Sequence, residues 1–286
     1  MSQHALTAAV DATKAATEYA APKSAAVAVD LVLVGYRAPD LARARALCGS
    51  ALTGLPVRRR LLVLNDPSLR SALQPDAAWE IVDGSNRLGE FSGWQEGLAL
   101  LDGGSNGVVF VNDTVCTHRR FSAARKASFA RSVRTAADAA IVGFRDRGDG
   151  RLSLAGLNVN AWTSTYCFML STKALELLGR QLYQPEVVAG CVPGGLDEQR
   201  FFAQLSTDLD AHLRRWLFEG GWYAGERLTQ ENAARLTFKA KCIIAEKALS
   251  GRCEKLGIRA VDPFDAYPLL QWLDKADRRL SERLRI

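Results

Sequence analysis

Gly107-Val108-Val109-Phe110-Val111-Asn112-Asp113-Thr114 is the stretch whose reading decides the fold. An unbroken apolar run of this length, ended by hydrogen-bonding side chains, reads as a strand buried on both faces. Outward from it the same pattern recurs. Upstream, Val27 to Val34 is a β-branched run followed by Gly35-Tyr36, and Arg60 to Leu64 is closed by Asn65-Asp66-Pro67-Ser68. Glu80-Ile81-Val82 is a short third strand, ended by Asp83-Gly84-Ser85-Asn86. Downstream, Ala140 to Phe144 makes a fifth. Helical patterns lie between them, over Asp40 to Leu47 with Asp40 as N-cap, Phe91 to Leu101 and Phe121 to Ala139. Apolar strands alternating with helices predict an α/β domain, a mainly parallel sheet between two helical layers. Such sheets bind ligands beyond the carboxyl ends of their strands. That is where Tyr36-Arg37, Asn65-Asp66, Asn86-Arg87 and Asn112-Asp113 fall.

Beyond the fifth strand the pattern changes. Arg145 to Arg151 is charged and glycine-rich, a hairpin or mobile loop, and Thr163 to Leu170 is a further strand. Ser171 to Leu178 is a short helix with a stop at Gly179, and Gly194-Gly195-Leu196-Asp197-Glu198 opens another. From His212 onward the chain reads as helical, with breaks near Gly220-Gly221 and Gly251. The expected organisation is an alanine-rich, flexible or loosely helical lead-in over 1–26, an α/β domain over 27–211 and a C-terminal helical region over 212–286.

Composition narrows the function classes. The 286 residues carry a formal net charge of +6, which fits an enzyme of anionic nucleotide substrates or a protein resting near an acidic membrane. No basic run interleaves with aromatics, so no nucleic-acid partner is expected. The six cysteines form no CxxC pair and have no histidine at zinc-ligand spacing, which points to a reduced, cytoplasmic protein. No signal-peptide pattern is present, and no apolar run reaches the ~18 residues of a bilayer span. The C-terminal helices combine Trp216-Leu217-Phe218 and Trp222-Tyr223 with a basic end from Lys275 to Arg285. They would pack on the main domain or make a peripheral contact with the inner face of a membrane.

Four segments, in order, resemble the family 2 glycosyltransferases, over roughly residues 28 to 205. The resemblance implies a GT-A fold with a C-terminal helical extension, and transfer of a sugar from a nucleotide-diphospho-sugar donor to a saccharide or lipid-linked acceptor. Surface polysaccharide synthesis is the expected setting. Val32 to Arg37 is similar to the family's opening strand and turn, which places Tyr36 by the nucleotide. Leu61 to Ser68 is similar to its strand followed by Asp-Asp-Gly-Ser, where the aspartate matching Asp66 accepts from the pyrimidine ring; Asn65 and Pro67 depart from that pattern. Asn86-Arg87-Leu88-Gly89 resembles its Asn-x-Gly loop, where glycine admits a phosphate to a helix N-terminus and Arg87 adds charge. Asn112-Asp113-Thr114 stands where the family has Asp-x-Asp, which holds magnesium or manganese. Only Asp113 is a carboxylate here, so metal use is open, and His118 nearby is a weaker candidate. Asp197 and Glu198 fall where the family places an acidic pair, one of which is the general base of the inverting members. Alternatives are a nucleotidyltransferase-like enzyme, although Gly35-Tyr36-Arg37-Ala38-Pro39 lacks the usual glycine-rich basic signature, and a non-catalytic nucleotide-sugar-binding protein.

Overall fold

A computed structural model describes residues 27–74, 76–118, 121–136, 138–189, 202, 205–219 and 227–284, leaving aside the side chains of 118, 149 and 281–284. Its centre is β1 (Val29–Gly35), every residue of which is buried. β1 pairs in parallel with β2 (Val57–Leu64) on one side and β4 (Gly107–Asn112) on the other, and β2 pairs in parallel with β3 (Glu80–Asp83). Beyond β4 the direction reverses. β6 (Leu157–Ser171) runs antiparallel to β4 and to β5 (Ala140–Leu154), and β5 pairs in parallel with β7 (Arg259–Val261). The sheet order is β3-β2-β1-β4-β6-β5-β7. This is the α/β class that the sequence predicts, a mainly parallel sheet between helices.

The period-2 alternation within each strand feeds two cores. Leu31, Leu33, Leu62, Leu64, Val109 and Val111 pack with Leu41 and Leu47 of α1 (Ala38–Ala51) and with Phe129 and Val133 of α4 (Ala123–Arg134). On the opposite face Val32, Val34, Leu61, Val63, Val108 and Phe110 pack with Phe91, Trp94 and Leu98 of α2 (Gly89–Ala99). Trp94 is the hub there. It meets Phe91 and Phe168 edge-on, each at 5.3 Å, and its indole N–H donates to the Val111 carbonyl at 3.0 Å. The short α3 (Val115–His118) follows β4, and α5 (Thr172–Leu177) and α6 (Pro185–Ala189) follow β6. Then come α7 (Thr207–Phe218), α8 (Gln230–Lys255) and α9 (Pro268–Leu284).

Four expectations differ from the structure, the first at α1, whose N-cap is Arg37, so that Asp40 stands in its first turn. Of the hairpin or mobile loop expected over Arg145 to Arg151, the structure has the hairpin, but this stretch lies in its first strand and the turn falls later, at Ala155-Gly156 with φ of 47° and 75°. Positive φ at both central residues is the two-residue turn whose twist matches its flanking strands. The helix expected to break at Gly251 runs through it to Lys255. A Cβ at Gly251 would meet Val159 Cγ2 at 3.0 Å and Leu157 Cβ at 3.1 Å, so this glycine permits α8 to lie close on β6. The C-terminal region also adds, beside its helices, the short strand β7.

Candidate functional site

A cleft of about 350 Å³ opens at the carboxyl ends of β1 and β4. Its first wall is the pair of strand exits, Tyr36-Arg37 and Asn112 with Thr114. Asp113 locks these exits together. Its Oδ2 accepts from the backbone amides of Tyr36 at 2.6 Å and Arg37 at 2.8 Å, and its own amide donates to the Val34 carbonyl at 2.9 Å. The side chain is wholly buried, and Oδ1 has no hydrogen-bond partner. Burial pushes the carboxyl above its ordinary value, and the two amides oppose that shift.

Asn65 is a second tether. Its Nδ2 donates to the Tyr36 hydroxyl at 2.9 Å and to the Gly89 carbonyl at 2.8 Å, tying the β2 exit to the β1 exit and to the start of α2. Gly89 has φ of 54°, and a Cβ there would meet Cys242 Sγ at 3.0 Å and the Tyr36 hydroxyl at 3.3 Å. The turn therefore needs glycine twice, for its backbone and for space. Tyr36 is held protonated by burial, with the Glu90 carboxylate adding to the effect.

The second wall comes from β5, β6, α7 and α8. Opposite Phe144, β6 carries an irregularity between the pairs Gly143–Phe168 and Arg145–Thr163, which frees Ser164, Thr165 and Tyr166 to face the cleft. Bulges of this kind re-aim side chains beside sites. The Thr165 amide and hydroxyl both donate to Glu246 Oε2 at 2.8 Å, and Lys247 Nζ donates to Glu246 Oε1 at 2.7 Å. Lys247 is wholly buried, with its ammonium 3.5 Å from the Trp162 ring centroid. Burial depresses its pKa, and the Glu246 carboxylate opposes this. Ser164 donates to Asp146. Phe238, Lys239, Cys242, Ile243 and Glu246 form one face of α8 that roofs the cleft. Glu90, in the first turn of α2, completes the lining. Burial raises its carboxyl above the ordinary value; Lys239 opposes this, and the Glu246 and Asp113 carboxylates reinforce it.

Of the sequence-predicted donor residues, Tyr36 and Asn112 line the cleft and Asp113 lies behind its first wall. Gly89 adjoins the Tyr36 hydroxyl. Asp66 is exposed and caps the 3-10 turn Pro67–Ala72, where Oδ1 accepts from the Ser68 amide at 3.0 Å and its hydroxyl at 2.6 Å. Asn86 and Arg87 are exposed in the loop before α2 and are not among the cleft-lining residues. Asp197, Glu198 and the His118 side chain lie outside the described residues. Among the described residues no three His, Cys, Asp or Glu side chains group as a metal site. Absent from the sequence expectations are the tether role of Asn65 and the cleft residues Glu90, Asp146, Lys239 and Glu246. Lys239 and Glu246, breaking an apolar helical stripe at one-face spacing, were the available signal.

No protein-family model and no curated protein sequence matches the chain. Among solved structures, it is similar to 4-diphosphocytidyl-2C-methyl-D-erythritol synthase from Anaerococcus prevotii DSM 20548, at 12% identity over 74% of this chain and 98% of that one, with a TM-score of 0.38. It is also similar to the bifunctional IspDF from Campylobacter jejuni, at 11% identity over 52% of this chain and 42% of that one, TM-score 0.36. The chain thus spans less than half the length of that bifunctional protein. A third similarity is to the mannosyltransferase PcManGT from Pyrobaculum calidifontis, solved with GDP-Man and Mn2+, at 12% identity over 91% of this chain and 81% of that one, TM-score 0.34. These similarities concern the arrangement of the fold and assign no substrate or site residue.

Proposed function

We propose that the protein is a glycosyltransferase whose cleft takes a nucleotide-diphospho-sugar donor and passes the sugar to a hydroxyl of a saccharide or lipid-linked acceptor, as in surface polysaccharide synthesis. The observation that carries this reading is the cleft itself. It opens where α/β sheets bind ligands, and its first wall offers an aromatic ring, a guanidinium, an amide and a hydroxyl from Tyr36, Arg37, Asn112 and Thr114. In this reading Tyr36 contacts the base and Arg37 neutralises charge on the departing diphosphate. Asn112 and Thr114 hydrogen-bond the donor. Asp66, Asn86, Arg87 and Gly89 are assigned to the base and phosphates by resemblance to the family 2 glycosyltransferases.

The reaction is proposed as an inverting displacement. The acceptor oxygen bonds to the anomeric carbon as the bond to the diphosphate breaks, and the leaving group takes the electron pair. The acceptor proton passes to a carboxylate, Asp197 or Glu198 in the sequence reading. Glu90 joins them as a candidate, because a part-buried, cleft-lining carboxylate with raised proton affinity suits a general base. Asp113, at the Asp-x-Asp position, is wholly buried behind the cleft's first wall, so in this arrangement it offers a donor-bound magnesium or manganese no reachable ligand. A cation in the cleft would have to be held chiefly by the donor's phosphates, where it would neutralise leaving-group charge.

A non-catalytic nucleotide-sugar-binding protein is the second reading, favoured by the commitment of Asp113 Oδ2 to two backbone amides. Thermal shift with UDP-, GDP- and dTDP-sugars, with and without manganese, followed by a nucleoside-diphosphate release assay, separates the readings. One donor is expected to raise Tm, and Tyr36→Ala to abolish that rise. No stabilisation by any nucleotide sugar would sink both readings, and stabilisation without release on adding acceptors would leave the binding protein.

A further inference from the structure

We propose that the outward face of α9 is a docking surface for an anionic lipid bilayer, on which the protein lies peripherally. α9 is amphipathic in an unusual sense, because its polar anchor faces the protein and its apolar strip faces out. On the inner side, Asp274 accepts from Arg125 at 2.7 and 3.3 Å and from the Ser122 hydroxyl at 2.6 Å. The Arg125 guanidinium lies 4.2 Å from the Phe144 ring centroid and 5.1 Å from that of Phe264. Burial works against the Asp274 charge, but the hydrogen bonds from Arg125 and Ser122 outweigh it and hold the carboxyl below its ordinary value. Leu270 adds apolar packing against the core. The helix is therefore fixed to the body, and its outer strip is presented rigidly.

That outer strip is Leu269, Trp272, Leu273 and Leu280, which are 68%, 63%, 42% and 58% exposed. Their spacing of three, four and eleven places them on one side of a helix. They are four of the seven large hydrophobic side chains that stand exposed among the described residues. Isolated exposed leucines need no explanation, but a contiguous strip marks an interaction surface. Lys275 and Arg279 line the same shallow recess as Trp272, Ala276 and Leu280.

This combination decides the occupant. A strip with Trp at its edge and cations beside it suits the boundary between headgroups and acyl chains, with Lys and Arg reaching the anionic headgroups. The chain's formal net charge of +6 adds long-range attraction. A second copy fits less well, since antiparallel twofold pairing of the strip sets each cationic edge against its own counterpart. No helix among the described residues is long and apolar enough to cross a membrane, so the contact lies in the surface plane. At 17 residues, α9 would cover roughly 25 Å of it.

The test is co-sedimentation of the full chain with phosphatidylcholine vesicles, with and without phosphatidylglycerol. Binding is expected only to the anionic vesicles, with release between ~0.1 M and ~1 M salt. Trp272→Ser with Leu273→Ser should weaken the partition coefficient by about tenfold or more without lowering Tm, since both side chains are exposed. Lys275→Glu with Arg279→Glu should weaken it similarly. Leu100→Ser, at a leucine exposed elsewhere, should change nothing. The proposal fails if the chain ignores anionic vesicles, binds neutral ones equally, or responds to Leu100→Ser as to the α9 pair. It also fails if light scattering shows a dimer that the Trp272/Leu273 pair dissociates. None of these outcomes bears on donor binding in the cleft.

Discussion

The two walls of the cleft are built by opposite strategies. The wall at the exits of β1 and β4 is a backbone construction, in which Asp113 and Asn65 hold turns in place through amides and carbonyls. The wall from β6 and α8 is a side-chain construction, in which Glu246 joins a bulged strand to a helix and leans on a buried ammonium. The first strategy leaves rigid loops from which the side chains of Tyr36, Arg37, Asn112 and Thr114 line the cleft. The second places charge inside the protein, where its balance depends on every partner being present. The difference teaches where a substitution should be tolerated and where it should not.

Four measurements would sharpen or break this contrast. Glu246→Ala should have the largest effect, a loss of about 3–4 kcal/mol in urea denaturation, because it leaves the Lys247 ammonium buried without its carboxylate. Asp113→Ala should cost somewhat less, about 2–3 kcal/mol, by orphaning the amides of Tyr36 and Arg37, and it should abolish any donor-dependent thermal shift. A larger loss at Asp113 than at Glu246 would reverse the ranking of the two walls. Glu90→Gln should raise stability by about 1 kcal/mol near neutral pH while impairing turnover, as expected where a site carries strain for function. The sign follows from its raised pKa. Folding favours the protonated form, so the charged form costs stability as pH rises above the unfolded value of about 4.3, and the advantage of Gln should vanish below it. Asp66→Ala should be the mildest, about 1 kcal/mol or less for the loss of a turn cap, with Tm as the readout. A donor-affinity loss much beyond that of Asp66→Asn would speak for the base-binding role given by resemblance.

The same contrast explains what the sequence could disclose. The parallel half was legible because its strands are uninterrupted apolar runs, with their polar groups collected at the ends. Val108 to Thr114 states both facts in seven residues. In the antiparallel half, strand and site overlap. Arg145 to Arg151 reads as the tip of a hairpin or a mobile loop because its outer part is solvated, although Leu152, Leu154, Leu157 and Val159 alternate inward around Ala155-Gly156 and place the turn there. Gly251 reads as a helix break because a helical glycine taken alone is unfavourable, and its packing against Val159 depends on a residue ninety-two positions earlier. Asp113 was legible as an important residue but not as a buried one. Its partners are amides supplied by the turn after β1, which no local pattern announces.

The order of the sheet has one further consequence, for self-templating. Its two edges are β3, four residues long, and β7, three residues long. At β3 the acidic ends Glu80 and Asp83 are engaged by Arg59 and Arg70, and β7 begins with Arg259. Short, charged edges give a stray strand little to zip onto, while the long, apolar strands β1 and β4 are shielded at the centre. The fold thereby keeps the apolar strands β1 and β4 in the interior of the sheet, with short, charged strands at its two ends.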